Sequence, residues 1–518
     1  MKNSGFQLRR LKNILGAICW LLPGLVFFSS CIRGNREVAS DNITKQAVIY
    51  PDYSGVIIPY NIAPMNFIIK EDGRSFRVTA SSPGGYSLSV RSSDGVVRFP
   101  ERKWKELLQQ SIGSDINIEI TIERGKAGSG KFSPFTLHVA DIPMDPFIVY
   151  RDLYPGYEAW LDMKIVQRST ESFLEKSVVE NQLLDNNCIN CHTFLQNNPQ
   201  KFLLHVRGSK SGTYFTDDGK ITKISLKTSN MPANAVYPSW HPSGKYVAFS
   251  SNKTVQAFHS RPEKNIEVFD LFSSLVLYDI GKNEIMTCTD NDTIQYMETF
   301  PCWSPDGSWL YYCRTPQVKD GFDFREVKYD LVRVRFNPDD RSFGIPEVIY
   351  NAAVIDKSVS FPAVSPDGKS LVFTLHDYGT FSIWHREADL YMLNTDSGET
   401  VKLPVNSDES DSYHSWSSNG KWLVFSSKRD DGLSARPYFS YIYSADSTGK
   451  PFVLPQKDPV LYTKMKRTFN RPEFVKGRIT AGPRDFESAA ASEAVQAVWS
   501  GPAELKSMQD RRYKNEKY

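Results

Sequence analysis

A nine-residue pattern occurs four times between residues 237 and 421 of this 518-residue chain. Each copy has an aromatic or apolar anchor followed by a tight-turn sequence. The copies are Tyr237-Pro238-Ser239-Trp240-His241-Pro242-Ser243-Gly244-Lys245, Phe300-Pro301-Cys302-Trp303-Ser304-Pro305-Asp306-Gly307-Ser308, Phe361-Pro362-Ala363-Val364-Ser365-Pro366-Asp367-Gly368-Lys369 and Tyr413-His414-Ser415-Trp416-Ser417-Ser418-Asn419-Gly420-Lys421. The anchors at 240, 303, 364 and 416 are 63, 61 and 52 residues apart. A repeated unit of this kind buries its faces by stacking on its neighbours.

An apolar segment follows every turn and predicts the second strand of each unit. These segments are Tyr246-Val247-Ala248-Phe249, Trp309-Leu310-Tyr311-Tyr312, Leu371-Val372-Phe373 and Trp422-Leu423-Val424-Phe425. Pro-Asp-Gly and Ser-Asn-Gly favour tight turns between paired strands. Because one such sheet cannot bury both faces alone, we expect the units to close into a ring.

These W-S-P-D-G units resemble those of the TolB-type β-propeller family. The resemblance covers about residues 201–460, and a fifth, weaker unit spans 205–226. It implies six blades where five are visible, so we expect a propeller of five or six blades over 201–475. TolB-type propellers are periplasmic binding platforms, and a fold alone does not assign an activity.

Cys188-Ile189-Asn190-Cys191-His192 is a C-x-x-C-H motif, the pattern that attaches c-type haem. In that pattern the two thiols form thioethers with the haem vinyl groups, and the adjacent imidazole binds the iron. We therefore expect one covalent haem c held by Cys188 and Cys191, with His192 as proximal iron ligand. The alternative is a structural or redox C-x-x-C that happens to precede a histidine.

The first thirty residues have the pattern of an export signal. Four basic residues precede an apolar stretch at 14–28 that is too short for a typical membrane span. Ser29-Ser30-Cys31 resembles a lipobox, which implies a lipid-modified Cys31 and a lipoprotein of the periplasm, in the outer membrane. An uncleaved anchor helix and ordinary secretion are the alternatives.

Net charge excludes nucleic acid as an expected partner. The full chain carries +3, with 62 basic and 59 acidic residues. Removing the four basic residues of the signal leaves 58 against 59, or about −1. No broad cationic surface is expected. The expected partners are a redox protein and, through the lipid anchor alone, a membrane.

The remaining sequence predicts two small modules and two connecting segments. Residues 31–47 are interpreted as a polar tether, and 48–150 as an immunoglobulin-like β-sandwich with one helix at 101–110. Residues 151–200 are interpreted as a helical haem-binding segment, because Ser172 opens a capping-box pattern and apolar residues follow at helical spacing. Residues 476–518 are interpreted as a C-terminal tail.

Three side chains are candidates for the second axial position of the iron. His205 is the first choice because it lies thirteen residues beyond His192. Met163 and His414 are the weaker candidates. An iron with no protein ligand on its far face is the alternative.

These features predict a lipid-anchored monohaem protein for electron transfer or redox sensing. A non-enzymatic TolB-like interaction scaffold is the alternative from another class, and a haem enzyme with an open iron site is a third. No Ser-His-Asp or paired-carboxylate arrangement occurs at a convincing spacing, which argues against a hydrolase.

We predict that Cys31→Ala releases the protein from the membrane fraction or blocks its processing. The reason is that the lipid is attached through the Cys31 thiol. Fractionation followed by mass measurement of the mature chain checks this. A variant that stays membrane-bound at the wild-type mature mass would contradict the lipobox interpretation.

Overall fold

The computed structural model describes residues 40–125, 128–155, 162–231, 233–259, 264, 266–288, 296–319 and 321–501. The predicted export signal at 1–30 and Cys31 lie outside these residues. Within the described ranges, no helix is both long and apolar enough to cross a membrane.

The N-terminal domain contains two sheets and one helix. Its elements are β1 (Ser40–Gln46), β2 (Ile49–Tyr50), β3 (Ile57–Pro59), β4 (Phe67–Ile69), β5 (Ser75–Ser81), β6 (Ser87–Ser92), β7 (Val96–Val97), α1 (Glu101–Gln109), β8 (Asp115–Glu123), β9 (Ser129–Ser133) and β10 (Phe135–Ala140). One sheet has the order β1-β9-β8-β10-β3, with β5 pairing β8 and β6; the other is β2-β4-β7. Strand β8 buries every second residue, as expected for a sheet that covers a core with one face.

The strands and the helix predicted within 48–150 are present in the structure. Helix α1 buries Trp104, Leu107 and Leu108, which share one side at helical spacing. The predicted tether is wrong over its last residues, because Ser40–Gln46 pairs with β9 as a strand. Ile43 packs against the domain core, and this contact explains why the polar segment is ordered.

The second part of the chain contains short strands throughout. Its strands are β11 (Phe147–Leu153), β12 (Lys164–Ser169), β13 (Glu175–Glu180), β14 (Cys188–Phe194), β15 (Lys201–Arg207), β16 (Gly212–Asp217), β17 (Lys220–Ser225), β18 (Ala235–Trp240), β19 (Tyr246–Phe258), β20 (Ile266–Asp279), β21 (Glu284–Thr287), β22 (Tyr296–Trp303), β23 (Trp309–Pro316), β24 (Asp330–Asn337), β25 (Ser342–Phe343), β26 (Glu347–Tyr350), β27 (Ser358–Val364), β28 (Ser370–His376), β29 (Asp389–Asn394), β30 (Thr400–Lys402), β31 (Asp411–Trp416), β32 (Trp422–Ser427), β33 (Arg436–Tyr441), β34 (Phe452–Val453), β35 (Thr468–Val475), β36 (Val495–Gln496) and β37 (Val498–Trp499). The helices are α2 (Leu461–Lys464) and α3 (Pro483–Ala491).

In the described residues these strands form six ring sheets. Ring sheet 1 is β14-β15-β16-β17-β36, ring sheet 2 is β18-β19-β20-β21-β37, ring sheet 3 contains β22 to β26, ring sheet 4 is β27-β28-β29-β30, ring sheet 5 is β31-β32-β33-β34, and ring sheet 6 is β35-β11-β12-β13. Their first strands contact one another in the order β14, β18, β22, β27, β31, β35 and again β14. The ring is therefore closed and propeller-like, and its sixth sheet joins the C-terminal strand β35 to β11, β12 and β13, the first three strands of the ring sequence.

The repeated residues fix both the turns and the contacts between sheets. In three of the four turns a serine accepts the backbone N–H of a residue five positions later, as in Trp309 N to Ser304 Oγ (2.9 Å) and Ser370 N to Ser365 Oγ (3.0 Å). Two of the three anchor tryptophans bond to the preceding sheet: Trp240 Nε1 donates to Thr193 O at 3.3 Å and Trp416 Nε1 to Ala363 O at 3.0 Å. Sequence analysis therefore located these sheets correctly.

The predicted helical segment at 151–200 is wrong, because it forms strands β11 to β14. Val178 and Val179 are adjacent and both fully buried, as in a strand covered on both faces. Such continuous burial makes the apolar spacing ambiguous between helix and strand. The predicted capping box lies in the turn between β12 and β13, where Ser169 N donates to Leu174 O.

Two boundaries of the predicted domains also change. The ring begins at Phe147 and not at 201, since β11 to β14 belong to it. The predicted tail is ordered up to residue 501: α3 packs against the ring, and β36 and β37 extend two of its sheets. The apolar side chains Phe486 and Ala490 of α3 account for this packing.

The N-terminal domain and ring sheet 5 share one hydrophobic core. Asp145 accepts hydrogen bonds from Ser418 N and Ser418 Oγ, both at 2.7 Å. Trp422 is 0% exposed, and its Nε1 donates to Ile142 O at 3.3 Å. This indole therefore joins the two domains through both packing and a hydrogen bond.

We predict that Trp422→Ala destabilises the protein by about 3–5 kcal/mol, the usual cost of removing a buried aromatic side chain. Leu174→Ala is the control, because Leu174 is 64% exposed and its removal costs no more than about 0.5 kcal/mol. Denaturant midpoints of the full chain check both. Equal midpoints for the two variants would contradict this role for Trp422.

Candidate functional site

The C-x-x-C-H motif lies on β14, the first strand of ring sheet 1. Its pairing with β15 is interrupted by a bulge between Asn190 and Thr193, and Cys191 has a φ of 52°. The corresponding residues of the other first strands have φ values of 47° to 53°: Tyr237, Phe300, Phe361, Tyr413 and Arg471. The second cysteine of the motif thus occupies a position that recurs in every ring sheet.

Most of these repeated residues line one cavity of about 70 Å³ within the ring. The full lining is Arg151, Asn190, Cys191, His192, Tyr237, Phe361, Phe381, Tyr413, Asn470 and Arg471. Aromatic side chains of non-adjacent ring sheets meet at the cavity: the centroids of Tyr237 and Phe361, from ring sheets 2 and 4, are 6.3 Å apart. The cavity therefore combines one thiol, one imidazole and two guanidinium groups with aromatic walls.

The imidazole of His192 is buried and neutral. Burial, together with the positive charges of Arg471 and Arg151, lowers its pKa to about 3. Its Nε2 has no hydrogen-bond partner. An unpartnered nitrogen of a neutral imidazole is the donor that a metal ion or haem iron requires.

Both cysteines of the motif are buried free thiols. Burial raises the pKa of Cys188, against the opposing effect of Arg151 and Arg207. Arg151 also holds the residues between the cysteines, since its Nη1 donates to Ile189 O at 3.3 Å and to Asn190 Oδ1 at 2.7 Å. Asn190 Oδ1 in turn accepts Cys191 N at 2.9 Å. The intervening residues thus have defined partners.

His205 lies opposite Asn190 on β15 and does not line the cavity that contains His192. It shares a strand face with Leu203, which packs in the core between ring sheets 1 and 2. The charged residues that lower the pKa of His192, Arg471 and Arg151, belong instead to ring sheet 6. The two histidines are close in sequence because β14 and β15 are paired strands of one sheet. This closeness does not predict that their imidazoles have different neighbours.

Met163 and His414 also have other surroundings. Met163 is buried in the core of ring sheets 6 and 1, where its Sδ accepts Ile189 N at 3.3 Å. His414 Nε2 donates to Val372 O at 2.8 Å, in the preceding ring sheet. Neither residue lines the cavity that contains His192.

His414 and His192 occupy equivalent positions, each directly after the residue with positive φ. Pro238, Pro301, Pro362 and Pro472 have this place in the other first strands. Arg471-Pro472-Glu473-Phe474 is thus a sixth copy of the repeat, which sequence analysis missed because an arginine replaces the aromatic residue. Recognising it would have placed Arg471 beside the motif.

The side chains of the motif are those that a covalently attached haem requires, whereas the cavity beside them is small. One free thiol, of Cys191, lines the cavity with the unpartnered imidazole nitrogen and the two arginines, whereas the Cys188 thiol lies in the adjoining core of ring sheets 6 and 1. A cavity of about 70 Å³ has the volume of about two water molecules. A macrocycle therefore requires the aromatic side chains at the cavity to separate. Among the described residues, no group of three or more His, Cys, Asp or Glu side chains could hold a metal ion alone.

Comparisons with known proteins leave the function open. No protein-family model and no curated protein matches the chain. Similar solved structures include a chain of a nidogen/laminin complex (8% identity, 64% of this chain and 99% of that chain, TM-score 0.36). Others are prolyl oligopeptidase B from Galerina marginata (11%, 58% and 42%, TM-score 0.35) and oligogalacturonate lyase from Vibrio parahaemolyticus (11%, 58% and 92%, TM-score 0.32). These likenesses are too weak to carry an argument.

We predict that His205→Leu makes the protein less sensitive to acid. Burial lowers the pKa of His205 to about 3, against an ordinary 6.5 in the unfolded chain. Between these values only the unfolded chain binds the proton, so the free energy of unfolding falls as the pH falls, by about 1.4 kcal/mol per pH unit. The substitution removes that slope, as measured by denaturant midpoints from pH 4 to 7.

Thr213→Val is the matched control. It removes the hydroxyl that lies 3.3 Å from His205 Nδ1 but leaves the buried imidazole in place. Its unfolding free energy is expected to keep the wild-type slope against pH. A His205→Leu variant with the same slope as Thr213→Val would show that His205 titrates normally in the folded protein.

Proposed function

We propose that the protein is a monohaem c-type protein in which the haem is attached at the closed ring. The observation that carries this proposal is the arrangement of the motif. Cys191 and His192 line a cavity inside the ring, and His192 Nε2 is buried without a partner. A buried polar atom without a partner is costly unless a ligand satisfies it.

The residues of the motif have distinct roles in this proposal. Cys188 and Cys191 hold the haem through thioethers, and His192 binds its iron. Haem supplies one-electron redox chemistry when it is bound. Arg151 keeps the intervening residues in place through its bonds to Ile189 and Asn190. The aromatic residues Tyr237, Phe361 and Tyr413 form apolar walls of the cavity.

The rest of the chain presents this centre to a partner. We propose a six-bladed, TolB-like propeller, an N-terminal domain of immunoglobulin-like outline, and an anchor at Cys31 in the outer membrane, facing the periplasm. A periplasmic or membrane redox protein would exchange electrons with the haem. Electron transfer or redox sensing is the expected activity, and nucleic acid is not an expected partner.

One observation favours a second candidate, a scaffold without haem. His192 stands at the position that His414 occupies in ring sheet 5, where His414 only bonds to the neighbouring backbone. A third candidate, a haem enzyme with an open iron site, draws on a different observation. His205, Met163 and His414 do not line the cavity with His192. A high-spin absorption spectrum would favour the open site, and a low-spin one would favour electron transfer.

We predict that haem staining after denaturing electrophoresis follows the wild-type protein when it is made with haem-attachment machinery. The stain is lost in the Cys188→Ala, Cys191→Ala double variant, because both thioethers are then absent. Cys302→Ala is the control, since Cys302 is a free thiol of another first strand and outside the motif.

The scaffold candidate makes the opposite prediction. Wild-type protein would remain unstained in a strain that attaches haem to a reference cytochrome, and the double variant would match it. Staining that survives in the double variant would place the haem elsewhere on the chain. Either result would exclude covalent attachment at Cys188 and Cys191.

A further inference from the structure

A second cavity lies between ring sheets 1 and 2, apart from the motif. It has a volume of about 350 Å³ and shares no lining residue with the cavity that contains His192. Phe215, Trp240 and Tyr278 line it, and the ring centroid of Phe215 lies 5.7 Å from that of Trp240 and 5.6 Å from that of Tyr278. Each of these side chains is at most 8% exposed. The inner part of the cavity is therefore aromatic and shielded from solvent.

The next junction around the ring, between ring sheets 2 and 3, shows how such a space is normally filled. Tyr246 from ring sheet 2 and Phe336 from ring sheet 3 meet there, with ring centroids 5.5 Å apart. Phe336 also lies 5.0 Å from the anchor Trp303. Two aromatic side chains thus pack beside the anchor tryptophan and close this junction.

The same two positions carry different residues beside Trp240. Lys201 is the first residue of β15, as Tyr246 is the first residue of β19. Ile280 donates its N–H to the last residue of the preceding repeat copy, as Phe336 does. Lys201 and Ile280 both line the cavity. The cavity is therefore the space that an aromatic pair fills in the neighbouring junction.

Charged side chains lie at the opening of the cavity. Lys201 Nζ is 3.2 Å from Asp217 Oδ2, and these side chains are 35% and 62% exposed. Lys220 also lines the cavity and, in the described part of the chain, forms no ion pair of 4.0 Å or less. Two lysines against one aspartate give the lining a net charge of +1. The opening therefore favours an anionic group over a neutral one.

We propose that this cavity binds a small aromatic carboxylate. Its volume lies within the usual range for small-molecule sites, which combine apolar walls with a few polar groups. The aromatic ring of the ligand packs among Phe215, Trp240 and Tyr278, where offset and edge contacts between rings are favourable. The carboxylate lies at the opening, where Lys220 supplies a positive charge.

Ligand-observed NMR titration of the full-length protein with cinnamate tests the site, and cinnamamide is the neutral probe of similar shape. We expect cinnamate to bind with a dissociation constant of a few millimolar or lower, the affinity that the usual ligand efficiency gives a molecule of this size. The amide is expected to bind about threefold more weakly, since a partly exposed ion pair contributes little.

Ile280→Phe is the principal variant, because it introduces the aromatic side chain that ring sheet 3 has at the equivalent position. We expect it to weaken cinnamate binding at least about tenfold by occupying the cavity, without lowering the denaturant midpoint, since cavity filling commonly stabilises a fold. Lys201→Tyr copies the other member of the aromatic pair. It gives an independent test of the same space if Ile280→Phe folds poorly.

Lys220→Gln tests the contribution of charge. It is expected to remove the preference for cinnamate over cinnamamide and to leave the affinity for the amide unchanged. Lys227→Gln is the matched control, because Lys227 is an exposed lysine after β17 that does not line the cavity. It keeps the wild-type preference.

Several results would overturn the proposal. Cinnamate that shows no saturable binding in the millimolar range would exclude the site, as would binding that survives both Ile280→Phe and Lys201→Tyr. Equal affinities for cinnamate and cinnamamide in wild type would exclude a site for carboxylates. Failure of haem staining is a separate result: it removes the proposed function and leaves this cavity unchanged.

Discussion

Closure of the ring by β35 is the constraint on which the site depends. This C-terminal strand pairs with β11, so ring sheet 6 is assembled from both ends of the ring sequence. The junction places Arg471 and Arg151 next to β14, which carries the motif. Residues 151 and 471 are distant in sequence, and only closure brings them to one cavity. The cavity therefore exists only when the ring is complete.

Closure also explains how a haem-attachment motif can be part of a propeller-like ring. Each first strand turns one residue into the left-handed region, and in β14 that residue is Cys191. His192 follows Cys191, at the position where four other first strands have proline. Its imidazole is buried beside residues of ring sheet 6. Burial then keeps the imidazole of His192 neutral, with a pKa of about 3. The repeat thus provides both the inward thiol and the buried base.

Sequence reasoning succeeded where a local signal was strong. The turns with Asp-Gly or Asn-Gly located the strands that surround them, and alternation identified β8 in the N-terminal domain. It failed for Val178 and Val179, because strands covered on both faces lack a distinctive period. It also missed Arg151 and Arg471, whose proximity to the motif depends on pairing across more than 300 residues. The motif could be recognised from sequence, but its surroundings could not.

Intact-mass spectrometry of wild-type protein matured with haem-attachment machinery tests the central claim most directly. The account predicts one haem per chain, retained after denaturation and located on the peptide that contains residues 188–192. Two covalent bonds to cysteine explain why the haem survives denaturation. A mature chain with no added haem, obtained where a reference cytochrome is fully loaded, would contradict it.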